Sequence, residues 1–176
     1  MHVTPRALRP ASLLANGSLA GLAGMIVLEL FEATVERRAL GREPVYSSRA
    51  ILGRLVPELA RGGAHRELVA LAARTAYALS LALGFARVRS LLPPSTASSA
   101  ALFAAAIVGG ELALGPRAGV VPRLSRWSRS EVLLLVAHAA VYAVVTASAL
   151  DRLDAQKQIG PVVSPPRRNA LHRIAT

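Results

Sequence analysis

The sequence predicts an all-α membrane protein: four transmembrane helices as two tandem helical hairpins, with a short interfacial helix in the first connection. Three observations predict it. Four apolar runs, at about residues 12–31, 68–86, 95–114 and 132–150, each approach the ~20 residues that cross ~30 Å of hydrocarbon as a helix. None of them alternates as the shorter strands of a membrane barrel do. The apolar fraction is 53% but the aromatic fraction only 4%. The chain therefore holds Ala, Leu and Val in blocks and lacks the large rings that a soluble core would draw on.

Arg6 and Arg9 precede the first run, as in a secretory signal. The stretch from Ala11 to Leu28 outruns a signal's apolar segment, however, and Glu29 and Glu32 follow it in place of a small-residue cleavage site. An uncleaved first span is expected. In the first connection, Ile51, Leu52, Leu55, Val56 and Leu59 share one helical face, with Arg54, Glu58 and Arg61 off it. Ser48 precedes this stretch and Gly62-Gly63 closes it, which predicts the interfacial helix, with Pro57 a local break. Arg74 interrupts the second run. Pro93-Pro94 makes a tight connection, Ser95 or Thr96 caps the third helix, and Gly115-Pro116 ends it just past Glu111. Arg117, Arg123, Arg126 and Arg129 surround Trp127 in an interfacial anchor pattern. The fourth run carries no formal charge. A transmembrane domain over residues 1–155 and a basic, disordered tail over 156–176 are expected.

The net charge is +11, and every basic residue but Lys157 is an arginine. The charges flank apolar runs and form no basic domain, so they point to a lipid bilayer with anionic headgroups and not to nucleic acid. Cysteine is absent, which excludes disulfides and cysteine-bound zinc or iron–sulfur clusters. Basic residues close to the spans are denser in the first and third connections. This expects those connections on the cytoplasmic side and both termini outside. Each run also carries small residues four apart: Gly17 and Gly21; Ala72, Ala76, Ser80 and Gly84; Ala105 and Gly109; Ala139, Ala143 and Ala147. Such ridges let helices approach closely in lipid.

The halves look related. Gly24 and Glu29 lie five apart, as do Ala106 and Glu111, and Tyr77 aligns with Tyr142 when Ala72 is set on Ala137. A two-span repeat keeps its orientation, so its pseudo-axis would lie along the membrane normal. The glycine-rich first span with Gly21, Gly24 and Glu32, the Arg-Arg-x-x-Gly-Arg-x-Pro stretch from Arg37 to Pro44, and the helices bearing Tyr77, His138 and Tyr142 resemble the YagU-like group of small bacterial inner-membrane proteins. The resemblance covers most of the chain. Ala73 stands where that group often has a histidine like His138. It implies a fold and an inner-membrane location. The group has no established biochemical activity, and a link to acid stress in one branch is its functional hint.

Topology places the end of the first span, the start of the second, the end of the third and the start of the fourth on one side. Glu29, Glu32, Arg74, Glu111 and His138 then share one layer, with Arg74 some ~9 Å deep and Tyr77 and Tyr142 one turn deeper. Glu29, Glu32 and Glu36 lie on one helical face, with Glu36 expected at the interface. Ionisable groups inside spans mark sites or register-fixing pairs. No Walker A loop, zincin helix or nucleophile elbow occurs, so no catalytic residue, cofactor or metal is assigned. One intramembrane histidine is thin for a transition metal. The sequence favours a non-enzymatic protein of envelope or stress physiology acting through partners or lipids. That reading expects the layer to be closed by internal pairs. The alternative, a small transporter or channel subunit working as a homo-oligomer, expects a water-filled cavity that reaches the layer.

Overall fold

The computed structural model describes residues 10–41 and 63–158, and no strand occurs among them. α1 runs Pro10–Phe31, widens into a π-helical turn over Glu32–Glu36 and ends in the single turn α2, Arg37–Leu40. α3 is Gly63–Val88, α4 is Thr96–Leu114 and α5 is Arg129–Gln158. α1 with its π turn, α3, α4 and α5 are each long and apolar enough to cross a membrane. The expected interfacial helix and the chain beyond Gln158 lie outside the described residues.

The helices outrun the apolar runs. α3 begins at Gly63 instead of Leu68, and α5 continues to Gln158, through residues expected in the tail. Hydropathy marks only the part of a helix that sits in hydrocarbon. Ala, Arg, Leu and Gln are good helix formers and carry the helix on into the headgroup region. Ser95 caps α4, its side chain accepting from the Ser98 N–H at 3.4 Å. Gly115 closes the same helix, its N–H bonded to the Glu111 carbonyl at 3.0 Å. Only glycine fits there, because the chain folds back and a Cβ would come within 2.6 Å of that carbonyl. At the start of α5, Ser128 and Glu131 form a reciprocal cap. The Ser128 N–H donates to the Glu131 carboxylate at 2.9 Å, and the Glu131 N–H donates to Ser128 Oγ at 3.2 Å. Trp127, in the same connection, donates to the Pro122 carbonyl at 3.1 Å.

The packing is inverted relative to a soluble bundle. Ala20, Ala82, Ala143 and Ala147 are fully buried, whereas Leu133 is 69% exposed, and Leu19, Ile26, Leu30 and Leu68 are also exposed. Small residues inside and large apolar residues outside suit a solvent as apolar as leucine, where close van der Waals contact holds helices together. α1 packs along both α3 and α5, and α4 packs along α5. Glycines set these approaches. A Cβ on Gly21 would lie 2.7 Å from Ala82 of α3, and one on Gly24 would lie 2.8 Å from the Tyr142 ring of α5. The ridge at Ala139, Ala143 and Ala147 is likewise internal. The ridges at Ala72, Ala76, Ser80 and Gly84 and at Ala105 and Gly109 face outward instead.

α3 and α4 meet through long side chains. Phe85 stacks on Phe103 with centroids 4.3 Å apart and planes at 11°. Phe103 tilts against Tyr142 of α5 at 5.9 Å. The ring cluster holds three helices at one level and leaves a space between α3 and α4 on the side nearer the first connection.

Candidate functional site

Six of the seven residues expected in the polar layer form direct side-chain contacts there, together with Glu36. The π turn carries Glu32 and Glu36 onward from Glu29 along the face of α1 that meets α3 and α5. Arg74, reaching across from α3, grips Glu32 with both guanidinium nitrogens: Nη1 donates to Oε2 at 2.7 Å, and Nη2 donates to Oε1. Its Nη1 also lies 3.1 Å from Glu29 Oε1. The fork of an arginine matches a carboxylate in this bidentate manner, which fixes both direction and register. Arg74 is only 17% exposed, so the pair is held largely away from solvent.

On the other flank of α1, His138 of α5 turns Nδ1 to two carboxylates, Glu36 Oε1 at 3.2 Å and Glu32 Oε1 at 3.5 Å. Glu36 is 1% exposed. The sequence leaves Glu36 at the interface because the apolar run stops at Phe31. The continuing π turn keeps it against α5 and buries it. Its place on the face of Glu29 and Glu32 is the signal that could have found it.

Tyr77 and Glu111 form the remaining part. The Tyr77 hydroxyl donates to Glu111 Oε1 at 3.2 Å, bridging α3 and α4 where their backbones stand apart. Tyr142 does not join the carboxylates. Its hydroxyl donates to the Ala78 carbonyl on α3, which anchors α5 to α3 across α1 beside Gly21 and Gly24. A cavity of about 60 Å³ lies between these elements. Arg74, Tyr77, Glu111, His138 and Tyr142 line its polar wall, and Met25, Leu81 and Ile107 are on its apolar wall. A water needs roughly 10–15 Å³ of such space, so the cavity has room for water with several polar partners.

A second polar cluster, which the sequence reading missed, sits at the opposite end of the bundle. Arg89 contacts Asp151 at 3.2 Å and donates to the Pro93 carbonyl at 2.9 Å. Thr96 also donates to Asp151. Asn16, 4% exposed, donates to Asp154 at 2.6 Å. These contacts tie the α3–α4 turn and the start of α1 to the end of α5. In the sequence they look like ordinary polar ends of spans, and nothing there pairs them.

Comparison with known proteins returns no match to a family model, a curated protein or a solved structure. Among the described residues, four helices have the length and hydropathy of membrane spans, which makes this a multi-pass membrane chain in contact with a lipid bilayer.

Proposed function

We propose that this chain is a non-enzymatic protein of the bacterial inner membrane whose one-sided layer binds protons or another cation, in the service of envelope or acid-stress physiology. One observation carries the reading. Glu111 lines the cavity, and its side-chain bond among the described residues comes from the neutral Tyr77 hydroxyl. A carboxylate inside a span is costly as a bare anion. Beside a water-sized space it is suited to exchange a proton. The acid-stress link of the YagU-like group, which the motifs resemble, fits a proton site, and the arginine-rich connections fit anionic headgroups.

The layer has two halves with different character. Arg74, Glu29, Glu32, Glu36 and His138 close on one another, which supports the reading in which the chain acts through partners or lipids and the charges hold helices in register. Glu111 opens on the cavity, which supports proton or ion movement. Proton uptake into liposomes carrying the purified chain separates the two. The proton-site reading expects uptake that falls about tenfold in Glu111→Gln. Equal uptake by both chains leaves the partner or lipid reading standing.

A further inference from the structure

The closed half of the layer has the composition of a metal site. Glu32 and Glu36 from the π turn and His138 from α5 bring three ligand atoms within 4.8 Å of one another. We propose that Glu32, Glu36 and His138 bind one divalent first-row transition cation. The inference rests on the cation-site reading above and names the cation for the closed half.

Ligand spacing is the first argument. An ion at ~2.1 Å from each ligand in tetrahedral geometry sets ligand–ligand edges of about 3.4 Å. His138 Nδ1 lies 3.2 Å from Glu36 Oε1 and 3.5 Å from Glu32 Oε1. Charge is the second: two carboxylates and a neutral imidazole balance a dication. Mixed nitrogen and oxygen donors fit zinc, iron(II), cobalt or manganese better than calcium or magnesium, which prefer oxygen alone. The outer shell is the third. Arg74 holds Glu32 in a fixed pose, and a carboxylate has lone pairs enough to accept from arginine and still ligate. Finally, the cavity reaches His138 and Arg74, so a water can approach the ligand set as a fourth ligand. The π turn agrees with this role. Such widened turns occur often at functional sites, and here one sets both carboxylates toward the same imidazole. A proton shared between His138 and the two carboxylates would make the same contacts, and the test is built to separate these occupants.

Co²⁺ is titrated into the full chain, carrying no polyhistidine tag, in detergent micelles, and its visible d–d absorption is followed. The expected result is one Co²⁺ per chain with the intense spectrum of a four-coordinate ion, displaced by Zn²⁺. Glu36→Gln and His138→Ala each weaken binding roughly tenfold or more, while Asp154→Asn, at the opposite end of the bundle, binds as the parent does. Circular dichroism reports whether each variant keeps its helices. Where one does not, the parent's stoichiometry decides, and less than one bound Co²⁺ overturns the assignment. Binding that survives both substitutions overturns it equally. Proton uptake that depends on Glu111 in a chain that binds no Co²⁺ removes the metal and leaves the proton site. Co²⁺ binding without such uptake keeps the metal and removes the proton site.

Discussion

Arg74 touches two carboxylates at once, and its loss shows what an intramembrane charge contributes. Arg74→Leu leaves Glu29 and Glu32 facing each other without the guanidinium, and removing one partner of a buried pair costs about 3–5 kcal/mol. Arg74→Leu combined with Glu32→Gln removes both charges, and is expected to recover at least half of that loss. Unfolding of the four chains in mixed detergent micelles gives the coupling directly, and additive losses would show that the bidentate contact contributes nothing. The same physics explains which site residues were legible. Glu29, Arg74, Glu111 and His138 stand out because ionisable groups inside apolar runs are rare, and Glu32 because it directly follows such a run. Glu36 follows the end of its run, where a carboxylate is ordinary, and only the helix that continues through it reveals its burial. The pairing of Asn16 with Asp154 is equally silent, because both lie near span ends where polar side chains need no partner.

Among the elements, the small-residue ridges divide by what they meet. Gly24→Ala drives a Cβ into the Tyr142 ring and Thr146, and overpacking of this kind costs about 1–3 kcal/mol. Gly84→Ala meets nothing within 4 Å and replaces a poor helix former in α3, so it should be neutral or stabilise by up to ~1 kcal/mol. Thermal unfolding of the two variants side by side tests the packing, and equal effects would contradict the close α1–α5 approach. An alanine-rich chain produces four-residue spacings everywhere, so sequence alone could not tell the internal ridges from the outward ones. The far-end cluster makes a further prediction. Asp151→Ala removes the acceptor shared by Arg89 and Thr96 and loosens the α3–α4 turn, at about 1.5–3 kcal/mol for bonds to a charged group. Proteolysis within the Pro93-Pro94 turn should then accelerate in micelles, and an unchanged cleavage rate would show that the turn is held by its prolines alone.

At the scale of the whole molecule, hydropathy fixed the number of spans because hydrocarbon thickness dictates run length. It carried no information on which helix touches which. The central place of α1 and the gap between α3 and α4 depend on glycines and rings meeting across helices. Orientation follows a different rule, the bias of Lys and Arg in short connections toward the cytoplasm. Arg37, Arg38, Arg42, Arg61 and Arg66 flank the first connection, and Arg117, Arg123, Arg126 and Arg129 lie in the third. At the opposite end, Arg167, Arg168 and Arg173 are far along the sequence from the last span. The expected outcome is that alkaline phosphatase fused after Gln158 is active and fused after Arg123 is inactive. The layer of Glu29, Glu32, Arg74, Glu111 and His138 would then sit in the cytoplasmic half of the bilayer. Glutamine at Arg117, Arg123, Arg126 and Arg129 together should weaken the bias and give a mixture of both activities at each fusion. Activity at Arg123 and none after Gln158 in the parent chain would invert the assignment and turn the layer, with its cavity, toward the outside.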